Sequence, residues 1–393
     1  MTLDLARIRA ETPATSRRAY LHNAGAALTP APIVQAMKDY LDLEAEIGGY
    51  AAARREAKRL DSVYDSVARL INAEAQEIAL VENATVAWQM AFYALALTFR
   101  PGDRILTAEA EYAANYVAFL QIARRTGIEI GVVPSDATGA LDVAALERMI
   151  DPHVKLIAIT WVPTNGGLAN PAAEVGRIAR AHNIPYLLDG CQAVGQMVVD
   201  VAALGCDMFS ATGRKFLRGP RGSGFLYMRR DLMLRLEPPM IDHFAADWVA
   251  RDRYQLRDDA RRFENWENNY AARLGLGLAI DYALDIGMND IEARCRSLSR
   301  QLRAGLSATP GVTVRDLGAN PSAIVSFTID GIAAEAVVAK ALSANIVIGA
   351  SDPASTRIDA ERRALPTLVR ASPHYYNTEE EVDLLVALCA GLR

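Results

Sequence analysis

FSATGRKFLRGPRGSGFLY, residues 209–227, sets one lysine between two apolar runs, and the reading of Lys215 decides what the chain is. The stretch enters through CDMFSAT and leaves through GSGFLYMRR, both with the apolar character of buried strands. A lysine in such a turn is ordinarily a solvated charge. GPRGSG (219–224) can also pass for a nucleotide phosphate loop, but no Lys-Ser or Lys-Thr pair follows it, and it leads into a strand rather than a helix. That class is excluded. A strand-end lysine preceded by Ser210 and Thr212 can instead hold an aldehyde as a Schiff base, with the two hydroxyls taking a phosphate.

Outward from this stretch, helical and strand patterns alternate. EIALVENATVAWQMAFYALAL (77–97) runs from a short strand through a polar turn into an apolar helix. DRILTAEAEY, IEIGVVPSD, KLIAITWV and IPYLLDG read as further strands. Several are continuous apolar runs, as expected of strands buried on both faces of a mainly parallel sheet. Intervening helices such as NPAAEVGRIARAHN make the fold class α/β. After about residue 268 long helices precede short strands, VTVRD, AIVSFTI, NIVIG and LVRAS, an α+β pattern. The expected division is a large α/β unit at 21–268 and a smaller α+β unit from 1–20 and 269–393. Thr378 and Glu381 are placed to cap the last helix in a box.

The bulk numbers agree with a two-unit enzyme. The chain has 393 residues, 51% apolar and 23% charged, enough to bury a large core. A net charge of −5 offers no basic footprint for nucleic acid or an anionic membrane. No apolar run has the length of a membrane span, and MTLDLARIRAE lacks the apolar core of a signal peptide. Four cysteines without CxxC spacing indicate neither a disulfide framework nor a zinc site. A cytoplasmic protein with no metal is expected.

In open α/β sheets, ligands bind at the carboxyl ends of the strands. Asn83, Ala84 and Thr85 open a helix, which is either an ordinary N-cap or an anion site. Asp189 ends an apolar strand with Gln192 three residues on, as a cap or as the partner of a buried cation. Asn165 lies in a Pro- and Gly-rich turn where backbone reasons suffice. Tyr112 follows another strand. Each signal is weak alone, but their order is not. An anion-binding helix start, an aromatic ring, an Asn, an Asp and a Lys are the inventory that pyridoxal phosphate requires.

At these residues the chain resembles the class V, fold type I family of pyridoxal-phosphate enzymes, from YLHNAGAAL near residue 20 to HYYNTEEEVD near residue 383. The resemblance implies the fold type I transferase architecture, a mainly parallel seven-stranded sheet flanked by helices with a smaller C-terminal domain. It implies that Lys215 carries the cofactor and moves protons, and that Asp189 faces the pyridine nitrogen. Gln192 and Asn165 would approach the ring oxygen. Tyr112 would stack on the ring, within an EYAAN stretch similar to the family's Glu-His-x-Ala-Asn. Ala84, Thr85, Ser210 and Thr212 would hold the phosphate, and Arg370 the substrate α-carboxylate. Where the family often has a histidine before the lysine, this chain has Arg214. The family is commonly dimeric, with its active site near the subunit interface. Its usual Gly-Thr-Pro segment is replaced here by RRFENWENNYA, where Trp266, Glu267 and Asn268 stand in.

The reaction class follows from a missing residue. A persulfide-forming desulfurase needs a cysteine on the loop before the carboxylate arginine, and IGASDPASTRIDAERRALPT (348–367) has none. Cys191 and the other cysteines read as small core residues. GGY at 48–50 resembles ergothioneine-pathway C–S lyases and isopenicillin-N-epimerase-like members, with Tyr50, His22 and Asn23 lining the pocket; a glycine-broken helix end followed by a core tyrosine explains it equally well. The leading expectation is a lyase that removes the α-proton of a cysteine S-conjugate or sulfoxide and releases pyruvate and ammonia. An aminotransferase or epimerase is the alternative. A non-catalytic cofactor-binding regulator would need a DNA-binding segment, and none is present.

Overall fold

In the computed structural model, residues 3–392 are described. The central sheet has seven strands: β1 Ile78–Val81, β2 Arg104–Ala108, β3 Glu129–Val133, β4 Val154–Thr160, β5 Tyr186–Asp189, β6 Met208–Thr212 and β7 Gly224–Met228. Their order is β1-β7-β6-β5-β4-β2-β3, parallel except for β7, which runs antiparallel to β1 and β6. The continuous apolar runs have the expected cause. Along β4, Ile157 and Ile159 enter one core while Leu156 and Ala158 enter the other, and Leu188 and Leu187 on β5 divide the same way. Both faces are covered by helices.

The smaller sheet contains β8 Val312–Val314, β9 Val325–Ile329, β10 Gly349–Ser351 and β11 Leu368–Ala371, in the order β8-β9-β11-β10, all antiparallel. Its core is formed by Leu298, Leu302, Phe327, Val337 and Leu385. The N-terminal segment joins this unit: Ala19–Tyr20 pairs in parallel with Ile346–Val347, and His22 bridges Ser372. Thr378 and Glu381 form the expected capping box. The helix Tyr270–Ile286, expected in the small unit, packs instead on Ala31–Ile47 and Ala57–Ile71. Leu276, Ile280 and Ala283 share a core with Val63 and Val67 of the large unit, so apolar matching, not chain position, decides where it sits.

The opening stretch folds as a strand, a tight return and an antiparallel strand. Gly213 N donates to Ser223 O (2.9 Å) and Gly219 N to Gly213 O (2.7 Å), closing the loop. Its arginines have different tasks. Arg218, left-handed at φ +62° and 1% exposed, donates to Leu28 O, Tyr375 Oη and Thr12 Oγ1. That buried guanidinium ties the lysine loop to both ends of the chain. At Gly224 a Cβ would stand 2.6 Å from Ala211 O and 2.9 Å from the Asn83 carbonyl carbon. Glycine there lets β7 press against the start of the helix Ala84–Ala96.

Candidate active site

Lys215, past the end of β6, and Asp189, at the end of β5, open onto one cavity of about 480 Å³. Ala84, Thr85, Tyr112, Thr212 and Arg214 line it with them, as do Asn115 and Cys191. The sheet makes this convergence, because Asp189 pairs with Thr160 on one side and Ser210 on the other.

Asn83 caps the helix, as one of its two readings expected. Asn83 Oδ1 accepts from Val86 N (3.0 Å) and its carbonyl from Ala87 N. The N–H groups of Ala84 and Thr85, the first of the helix, are left for an anion in the cavity. Thr212 Oγ1 donates to Ser223 O (3.3 Å) beside them.

Asp189 is 5% exposed, and burial raises its carboxyl above the ordinary range. Donation from Asn115 Nδ2 (3.0 Å) and Cys191 N (2.9 Å), with the charge of Lys215, opposes that rise. Behind it lies Glu111, a residue the sequence reading passed over. Glu111 accepts from Thr107 Oγ1, Thr160 N, Thr160 Oγ1, Asn115 Nδ2 and Tyr112 N at 2.6–3.0 Å. Burial pushes it up to about 7 against those donors. One carboxylate thus fixes the backbone of Tyr112 and, through Asn115, the orientation of Asp189. Tyr112 is 36% exposed and faces the cavity.

Arg370 lies in β11, paired with Ser326 and Gly349. Its Nη1 donates to Thr164 O (2.9 Å) and Thr164 Oγ1 (2.6 Å), across to the loop after β4. Burial, then Arg214, lowers it to about 10, so it remains a cation at neutral pH. Gln192 Nε2 donates to Ala24 O and reaches the same Thr164 hydroxyl.

Several expected contacts are differently used. Asn165 donates to Asp352 O (3.1 Å) and Thr356 Oγ1 (2.9 Å) and accepts from Ser351 Oγ (2.5 Å). Its amide holds segment 351–356, and the adjacent Thr164 meets Arg370 and Gln192. Asn23 donates to Ser372 O and accepts from Tyr376 Oη, fully buried as a tether rather than a pocket wall. Tyr50 is 71% exposed, in a neighbouring concavity with Trp266, Glu267 and Asn268, because Gly48 at φ +83° breaks the helix and turns it outward. Cys191, expected in the core, lies in the cavity with Lys215 and Asp189.

His22 stands in space that only glycines leave open: a Cβ on Gly25 or Gly349 would fall 2.3 or 2.2 Å from its ring. Burial, then Arg370 and Arg214, lowers it to about 4, so it is neutral at pH 7. Between pH 6.5 and 4 the folded protein therefore binds fewer protons than the unfolded chain, and stability falls as pH drops through that window. His22→Asn is expected to remove an acid-dependent loss of about 3 kcal/mol. Unfolding midpoints at pH 4 and 7 check this; an unchanged acid loss in the variant would refute it.

These residues fit pyridoxal phosphate. Of seven buried side-chain polar atoms without a partner among the described residues, three belong to His22, Gln192 and Arg370, which gather around Arg370 beside the cavity. Buried polar atoms are otherwise almost always paired, so unpaired atoms at Arg370 suit a polar ligand there. The helix start suits a phosphate, Asp189 a protonated ring nitrogen, Tyr112 a ring face and Lys215 an aldehyde. Ser210 is the exception among the phosphate candidates: it is fully buried in β6 and absent from the cavity lining.

The comparisons with known proteins agree. The family described as aminotransferase class V matches residues 19–385. A probable cysteine desulfurase of Methanothermobacter thermautotrophicus is 33% identical over 96% of this chain and 95% of its own length. One from Halobacterium salinarum is 30% identical over 98% and 95%. The apo structure of a cysteine desulfurase from Thermococcus onnurineus superposes with a TM-score of 0.93 at 27% identity, covering 100% of this chain and 98% of that one. An Escherichia coli cysteine desulfurase superposes with a TM-score of 0.91 at 26% identity, covering 99% and 98%. With fold, cavity and sequence in agreement over nearly its whole length, the chain belongs to the class V aminotransferase family of pyridoxal-phosphate-dependent enzymes.

Proposed function

We propose that the protein is a β-eliminating C–S lyase acting on a cysteine-derived S-conjugate or sulfoxide. The observation that carries this is the segment before Arg370. Residues 348–367 contain no cysteine. They fold as β10 and two short helices, Pro353–Thr356 and Arg357–Arg362, anchored by Asn165 and by the Arg362–Glu109 ion pair (3.1 Å). A thiol carried on a mobile loop to the substrate sulfur has no counterpart there.

When bound, pyridoxal phosphate supplies the electron sink for charge developing at the substrate α-carbon. The chain's own residues do the rest. Arg370, held by Thr164, orients the α-carboxylate through its guanidinium fork. Lys215 Nζ takes the α-proton. The Cβ–S bond breaks with its electron pair on sulfur, and hydrolysis of the three-carbon remainder gives pyruvate and ammonia. Asp189 would stand opposite the ring nitrogen as its acidic partner, and Tyr112 would cover the ring face.

A second reading, desulfuration of cysteine itself, is favoured by the relatives' names and by Cys191, the thiol in the Lys215 cavity. Burial raises that thiol, which disfavours the thiolate such chemistry needs. Incubation of the holoenzyme with cysteine, S-alkylcysteines and their sulfoxides separates the two. Elimination yields pyruvate and ammonia; desulfuration yields alanine and protein-bound sulfane sulfur. Alanine from cysteine without pyruvate from any conjugate would overturn the lyase reading.

A further inference from the structure

Lys215 is held through the residues on either side of it. Before it, Arg214 O accepts from Ala27 N (2.8 Å) and Arg214 Nη1 donates to Gly25 O, so both lean on the N-terminal segment. After it, the Phe216–Leu217 peptide is gripped from two directions. On one side is Gly195, where a Cβ would fall 2.3 Å from the Phe216 carbonyl carbon and 2.3 Å from Leu217 N. On the other, His374 Nε2 lies 2.6 Å from Phe216 O, and the two rings meet edge to face at 90°. Gly195 belongs to the segment that follows Asp189, and His374 to the one that follows Arg370. Three segments bearing site residues therefore meet at one amide.

Chemistry fixes the direction of the histidine contact. Burial keeps His374 neutral, so its ring carries one N–H. Phe216 O can only accept, which puts that hydrogen on Nε2. Nδ1 then accepts, and Cys295 Sγ stands 3.2 Å from it, kept by burial as a thiol whose S–H donates. His374 N in turn donates to Asn377 Oδ1 (2.8 Å). Phe216, Cys295 and His374 are each at most 1% exposed, so no water competes for these bonds. His374 does not line the Lys215 cavity and can act there only through Phe216.

We propose that His374 is a positioning residue for Lys215, holding the Phe216 carbonyl so that the lysine stays aligned with Arg370. The inference rests on Lys215 as the acting lysine, not on which bond to sulfur breaks. Turnover of the holoenzyme is therefore followed over a range of substrate concentrations, as pyruvate from a conjugate or as alanine from cysteine.

His374→Leu leaves Phe216 O without its donor and is expected to lower kcat roughly 10- to 100-fold, the cost of a small misplacement of a reacting group. KM should stay within about 3-fold, because the loss falls on the reacting geometry rather than on binding. His374→Gln brings an amide N–H to the same carbonyl and is expected to recover most of that kcat. A purely structural role would lower the unfolding temperature of both variants and leave kcat intact. A folded His374→Leu protein with wild-type kcat would overturn the proposal, as would a folded His374→Gln protein no better than it.

The wild-type holoenzyme gives a test that needs no folded His374 variant. With 15N-labelled histidine, and the other four of the five histidines assigned by single substitutions, His374 is expected as the neutral Nε2–H form with its ring proton protected from exchange. A proton on Nδ1 would break the link to Phe216 O and overturn the proposal. Absence of pyruvate from every conjugate would sink the lyase reading and leave the histidine result standing.

Discussion

Lys215→Ala is expected to lower turnover by roughly 10²- to 10⁴-fold through loss of a positioned base alone. The side chain is 9% exposed and lines the cavity with Asp189 and Cys191. Nothing else lining that cavity is an amine: Arg214 and Arg221 are guanidiniums, which do not act as bases near neutral pH. The variant should remain folded, because among the described residues Lys215 forms no ion pair that ties β6 to its neighbours. Its spectrum should lack the band of lysine-linked cofactor while added pyridoxal phosphate still binds at the helix start. Pyruvate release within tenfold of wild type would show that another residue moves the α-proton.

Asp189→Asn is the second large effect. The substitution keeps the shape, and the remaining carbonyl can still accept from Asn115 Nδ2 or Cys191 N. What it removes is a buried carboxyl that, in the proposed mechanism, would face the ring nitrogen. Removing one partner of a buried charged pair costs about 3–5 kcal/mol, which corresponds to roughly 10²- to 10⁴-fold in rate. The absorbance of the bound cofactor should also change its pH dependence, a signature that simple loss of packing would not give. A variant with full activity and an unchanged spectral titration would remove Asp189 from the mechanism.

Much of this site was legible because strand ends are legible. Lys215 and Asp189 each close an apolar run, and the sheet brings such ends together. The buried faces of β4 and β5 were likewise written in unbroken apolar residues. What escaped was set by contacts between distant segments. Glu111 gained its role only when β2, β4 and β5 aligned Thr107, Thr160 and Asp189 around it. Whether Thr164 or Asn165 faces Arg370 depends on the conformation of one turn, which residue type does not reveal. Tyr50 went outward because Gly48 redirected the chain, against both the pocket wall and the core position expected of it. In the stretch 209–227, three arginines looked alike, yet Arg218 is a buried tie, Arg221 lines the cavity, and Arg214 leans on the N-terminal segment.

We propose Lys215 as the residue that carries pyridoxal phosphate in this fold. Borohydride reduction of the holoenzyme, followed by proteolysis and mass mapping, tests it without reference to any substrate. The pyridoxyl mass is expected on the peptide containing Lys215 and nowhere else. A protein that binds the cofactor but carries that mass on a different lysine, or on none, would show that Lys215 does not carry it.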